Sequence, residues 1–262
     1  MFIKKTRTIM ILLGLTLLSA CGNSNHTTEG LEDVEQAITK NNNLESGTFE
    51  TTHTMKSEGN ENQQKIEGAF IKKGTKDYDW YRTVYYESSN KDNFSTIVNI
   101  DGTQFINSSP QETVWKEAPE ATANLKDQIN PLLELDDYEV ESMTIEEIDG
   151  ETYYYVTLDV AHGEQVKKDA VDALKETIKT LEETNTSEEI IQNIEEEIQR
   201  REQATYSDFL YTYKIDKEGY VTSVEFESKM LEATGTEFEF IGSYTLTDYN
   251  LMDLSNLLPE VE

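Results

Sequence analysis

Over its last third the chain places large apolar residues at every second position: Phe209, Tyr211, Tyr213 and Ile215, then Tyr220, Thr222, Val224 and Phe226, then Phe238, Phe240, Tyr244 and Leu246. The neighbours between them include Asp208, Lys214, Glu225, Glu227, Glu237 and Glu239. A period of two is the period of a strand, whose side chains point alternately to opposite faces. Apolar residues alternating with more polar neighbours mean one packed face and one wet face, which is the condition of antiparallel strands. Whatever else this chain forms has to be arranged around such a sheet.

The same period begins after Gly47. Strands are expected at 48–56, 65–73, 77–87 and 93–100, the third with Tyr78, Trp80, Arg82, Val84 and Tyr86 on one face. Asp101-Gly102 is a two-residue hairpin signal leading into Gln104 to Asn107, and Asp149-Gly150 joins Tyr138–Ile145 to Thr152–Val160 in the same way. A short strand is expected around Val114-Trp115-Lys116. A helix with Leu125, Ile129, Leu132 and Leu133 on one side is expected to start at Pro119 and to be bent or ended by Pro131.

Two other segments change the period to that of a helix. Leu31, Val34 and Ile38 mark a short amphipathic helix that stops near Asn41 to Asn43. Between Gly163 and Thr205, Val166, Ala170, Leu174, Ile178 and Leu181 form one stripe, and Ile190, Ile194 and Ile198 form another. Thr184-Asn185 separates them, and Thr186 with Glu189 supplies a capping box. The sum is an α+β fold: a large curved antiparallel sheet of roughly eleven strands, a half-barrel, with helices over its concave side and a helical hairpin inserted at about 164–204. The tail from Leu251 to Glu262 is expected to cover an edge.

The N-terminus says where such a domain works. Lys4, Lys5 and Arg7 precede an apolar stretch from Ile9 to Leu18 that is too short to span a bilayer, the order of an export signal. Leu18-Ser19-Ala20-Cys21 resembles the lipobox of bacterial lipoproteins, which implies that Cys21 is acylated, with palmitate or a similar chain, and that cleavage precedes it. Residues 1–20 are then a signal peptide, 21–30 a lipidated flexible tether and 31–262 a single domain. Cys21 is the only cysteine, so no disulfide forms within the chain. The cleaved segment carries three cations and no acid, so a net charge of -30 becomes -33 in the mature protein. That surface repels phosphate, which excludes nucleic acid as a partner and leaves the acyl anchor to hold the domain at the extracytoplasmic face of the membrane.

The layout resembles the LolA-like and LppX/LprG-like lipoprotein carriers, and more closely a group of Gram-positive lipoproteins of that fold. The likeness is carried by Leu31 to Lys56, by Asp101-Gly102-Thr103-Gln104-Phe105 with Val114-Trp115-Lys116, and by Ile215-Asp216-Lys217-Glu218-Gly219. It implies a curved sheet whose concave apolar side holds acyl chains, lined by Phe70, Trp80, Phe94, Tyr211, Phe226, Phe238 and Phe240. Each of these also reads as an ordinary core residue. The long acidic helical pair departs from the layout and is open to three readings: lid, cover or docking arm.

No catalytic constellation stands out in the sequence. Histidine occurs only at His26, His53 and His162, and no nucleophile elbow, phosphate loop, zinc-binding histidine pair or calcium loop is present. The expectation is a membrane-anchored, non-enzymatic cell-envelope protein with no cofactor or metal that binds a lipid or similar amphiphile. An envelope interaction module using the helical pair is the alternative, and the acidity also admits a cation-binding reading.

Overall fold

The computed structural model describes residues 29–73, 77–88, 91–107, 115–118, 140–183 and 188–250. Helix α1 (Glu29–Asn41) leads into β1 (Ser46–Ser57), β2 (Asn60–Lys73), β3 (Asp77–Ser88), β4 (Lys91–Ile100), β5 (Thr103–Asn107) and the two-residue β6 (Lys116–Glu117). Then follow β7 (Val140–Ile148), β8 (Glu151–Leu158), helices α2 (Val160–Glu183) and α3 (Glu188–Gln203), β9 (Thr205–Ile215), β10 (Val221–Leu231) and β11 (Glu237–Thr247). The expected helix from Pro119, the Thr186 cap and the tail from Leu251 lie outside the described residues, as do the signal peptide and Cys21.

All eleven strands join one open, curved antiparallel sheet in the order β6-β5-β4-β3-β2-β1-β11-β10-β9-β8-β7. It consists of two meanders, and the seam between them is the pairing of the first strand with the last, from Thr48↔Thr247 to Lys56↔Glu239. Closing that seam spans almost the whole chain, so neither meander forms a sheet of this width alone. The architecture expected from the alternation, α+β with a sheet of about eleven strands and a helical insertion, is the one found.

Turn chemistry sets the register. Asp101-Gly102 and Asp149-Gly150 both place their two central residues at positive φ, 49° and 83°, then 56° and 82°. That is the twist-matched two-residue hairpin. Glu58-Gly59, at 45° and 84°, makes a third such turn with a residue that favours it less.

Three boundaries differ from expectation. Asp159 ends β8 and caps α2, its Oδ1 accepting from Ala161 N at 2.8 Å, so the helix begins at Val160. Helix α1 begins at Glu29, two residues before the expected start at Leu31; Gly30 lies against Met143 and Ile145 of β7, where a Cβ would come within 2.5 Å of the Met143 sulfur. The short strand expected around Val114 comprises only Lys116 and Glu117.

The core lies between α1 and one face of the sheet. Leu31, Val34, Ala37 and Ile38 are buried against Phe49, Tyr213, Val221, Val224, Tyr244 and Leu246. Asn41, at the end of α1, is buried and pairs with both backbone groups of Val221 in β10: its Nδ2 donates to Val221 O at 2.7 Å and its Oδ1 accepts from Val221 N at 3.0 Å. A side-chain amide thus satisfies two backbone groups where the ladder breaks register, since the pairing of β9 and β10 slips between Val221 and Ser223.

Candidate functional site: the aromatic face under the helices

Cross-strand pairing lays the helix-covered face out in rows. In one row Tyr154, Tyr213, Val224, Tyr244, Thr51, Ile66 and Val84 follow one another from β8 to β3. The next row, two residues further from α1, reads Val156, Tyr211, Phe226, Gly242, His53 and Gln64. Beyond it come Ser228, Phe240 and Met55, then Met230 opposite Phe238.

Burial declines along this series except at Val156 and Met230, which are 1% and 3% exposed. Tyr213, Val224, Tyr244 and Thr51 are at most 4% exposed, whereas Tyr211, Phe226, His53, Gln64, Phe238, Phe240 and Met55 are only partly buried. The apolar face is therefore filled by α1 at one end and left accessible at the other.

The rings of the accessible end lie flat on the sheet. Tyr211 stacks on Phe226 with centroids 5.9 Å apart and planes 23° apart, and on Tyr213 at 6.2 Å and 19°. His53 meets Phe226 from the other side at 6.0 Å. Gly242 makes this possible: a Cβ there would sit 1.8 Å from Phe226 Cε1. Gly68 does the same under Phe49, with its hypothetical Cβ 2.4 Å from the ring, and Gly47 under Phe70. A glycine in a strand interior often marks such a close approach.

Polar groups on this face are few. Thr51 Oγ1 is buried and finds no hydrogen-bond partner among the described residues. Burial holds the His53 imidazole below its ordinary pKa, so the ring is neutral at pH 7. The Tyr213 and Tyr244 hydroxyls are pushed up, chiefly by burial. Tyr154 is pushed up to about 12, first by burial and then by Asp33, to whose Oδ2 its hydroxyl donates at 3.2 Å. Among the described residues no cluster of histidine, cysteine and carboxylate side chains is arranged to hold a metal ion.

The residues expected to line a cavity divide into three groups. Tyr211, Phe226, Phe238 and Phe240 lie together on the accessible part of the face. Phe70 and Trp80 share the face but are 1% and 3% exposed, packed in the core, where Phe70 meets Tyr78 edge-on at 5.9 Å. Position 94 is out of phase: the register sets it opposite Tyr85, whereas Trp80 faces Asn99 and Arg82 faces Ile97. It therefore belongs to the other face of the sheet. The apolar residues of β4, Phe94, Ile97, Val98 and Ile100, do not alternate, so their parity could not be read from the sequence.

His53, Met55, Thr51 and Gly242 complete the site and were not singled out as lining residues. Their signal lay in the strand parity of β1 and β11, which becomes readable once these two strands are known to pair.

The helical pair stands at the edge of this face. Gly163 at its base approaches Tyr206 so closely that a Cβ would lie 2.5 Å from the carbonyl oxygen, and His162 packs edge-on against Phe209 at 4.7 Å. Farther out the helices bury only one stripe each, against one another. Most cations of the arm are paired within it, Lys167 with Glu164, Lys175 with Glu202, Lys179 with Glu176, and both Arg200 and Arg201 with Glu197. Among the described residues no helix is long and apolar enough to cross a membrane.

No protein-family model and no curated protein matches this chain. Solved structures do. The chain is similar to LprF from Mycobacterium bovis over 90% of its own length and 99% of that chain, at 8% identity and a TM-score of 0.40. It is similar to a DUF1329 family protein from Desulfovibrio piger over 90% of its length and 98% of that chain, at 8% identity and a TM-score of 0.30. A putative outer membrane lipoprotein-sorting protein domain from Vibrio parahaemolyticus matches over 87% of this chain and 97% of its own, at 8% identity and a TM-score of 0.25.

Proposed function

We propose that this protein is an extracytoplasmic lipoprotein, anchored to the membrane through an acylated Cys21, that binds a lipid or similar amphiphile on the helix-covered face of its sheet and performs no catalysis. The observation that carries the reading is the accessible aromatic end of that face. Tyr211, Phe226, His53, Met55 and Phe240 remain half-buried on the same surface that α1 fills elsewhere. Burying an apolar chain there would add about 25 cal/mol for each Å² removed from water. The resemblance of the layout to acyl-chain carriers supports the same reading.

Native mass spectrometry of the chain purified without delipidation tests it. The expected result is a lipid-sized mass adduct, reduced in Gly242→Leu, whose side chain occupies the floor and displaces Phe226. A ligand-free wild-type protein that also takes up no added phospholipid or fatty acid overturns the proposal.

The helical pair favours a second reading, in which the arm docks another envelope protein, because among the described residues its outer half packs mainly within the pair. Removing residues 164–204 separates the two: loss of a crosslinked partner with lipid content unchanged identifies a docking arm, whereas loss of lipid identifies a lid.

A further inference from the structure

The opposite face of the sheet carries a second concavity. Across β8 to β11 runs a groove of about 670 Å³, within the size range of ligand-binding clefts. Tyr153 and Tyr155 form one wall, and Tyr249 stands at the other end. The floor is hydroxyl-rich, with Thr212, Ser223 and Thr245 between them. The two wall tyrosines sit two positions apart on β8, so period two puts both on this face, about 7 Å apart along the strand. Their rings are steered from both sides: Tyr155 donates to Glu146 Oε2 at 3.4 Å, and Lys214 lies 5.9 Å above the Tyr153 ring while pairing with Glu151 at 2.8 Å.

We propose that this groove binds an uncharged glycan chain. Exposed tyrosine rings offer flat apolar surface for the C–H faces of sugar rings, and each keeps a hydroxyl for hydrogen bonding. Hydroxyls donate and accept in any rotamer, which suits a ligand whose own polar groups are hydroxyls. Charge and desolvation disfavour two other classes of ligand. Glu151, Asp216 and Glu225 line the groove and its one cation, Lys214, is already paired, so phosphates and other anions are repelled. A purely apolar chain would strip the hydroxyls and carboxylates of water without replacing those bonds. This site lies on the other side of the sheet from the aromatic face and does not depend on the lipid-binding reading.

Calorimetric titration of the full chain, held in a detergent without sugar headgroups, tests the proposal with cellohexaose, chitohexaose and maltohexaose as probes. Saturable binding of at least one hexasaccharide is expected, weakened about tenfold in Tyr155→Ala and similarly in Tyr153→Ala, the scale of losing one stacked ring. Tyr85→Ala, at a tyrosine of equal exposure on the other half of the sheet (39% against 38% for Tyr155), is expected to leave affinity unchanged. Unchanged melting temperatures show that the variants remain folded. The proposal is overturned if no hexasaccharide binds at millimolar concentration, if binding survives both wall substitutions undiminished, or if a lysine pentapeptide binds where the sugars do not.

Discussion

Gly242 and His53 sit side by side on the paired strands β11 and β1, and together they give the aromatic face its character. The glycine lets Phe226 lie on the sheet, and the histidine closes the ring's far edge. Because burial lowers the His53 pKa, the unfolded chain takes up a proton before the folded one does. Stability is then complete above the ordinary value near 6.5 and declines as pH falls below it. Denaturant midpoints measured from pH 8 to pH 5 should fall in the wild type, and His53→Gln should remove part of that fall. If both proteins show the same pH profile, His53 is not held neutral by this face. Glu58 offers a separate residue-scale test. It occupies a left-handed position, φ 45°, that asparagine and glycine adopt at lower cost. Glu58→Asn should raise stability by about 0.5 kcal/mol, read as a higher melting temperature.

At the scale of elements, α1 is attached to the sheet by apolar burial and by one amide. Asn41→Ala removes two hydrogen bonds and leaves the N–H and C=O of Val221 buried without partners. A loss of about 2–4 kcal/mol is expected in urea unfolding, against a much smaller effect for the exposed neighbour Asn42. That attachment, and the shift of register beside it, show where reading strands by parity reaches its end. Counting by twos from Val224 assigns Thr222 to the packed face, yet Val221 is the fully buried residue, because the ladder slips between Val221 and Ser223. The same happens in β9. Asp208 adopts φ 57° in a bulge and pairs with Lys229 at 2.8 Å, so that Tyr206 joins Phe209 on the packed face. Bulges arise from pairing between strands, and a single strand's sequence does not announce them.

At the scale of the molecule, a chain of net charge -30 encloses an apolar face that is incompletely covered. Its own surface has little affinity for anionic headgroups, so the proposed membrane attachment would rest on an acyl group at Cys21. Cys21→Ser should move the protein from the membrane pellet to the soluble fraction with its circular dichroism unchanged, and continued sedimentation with membranes would refute the anchor.

The period-two alternation, the two Asp-Gly turns and the helical stripes were enough to establish an antiparallel α+β architecture, because local geometry ties side-chain direction to backbone type. Three things required the tertiary structure. The closure of the sheet joins β1 to β11, strands nearly two hundred residues apart, as in Thr48↔Thr247. The division of the aromatic residues into core, accessible face and opposite face depends on which strands pair and where they slip. The groove on the wet face gathers Tyr153, Lys214, Ser223 and Thr245 from four strands. None of these is encoded locally, since each is set by the packing of distant segments whose mutual register no single stretch of sequence contains.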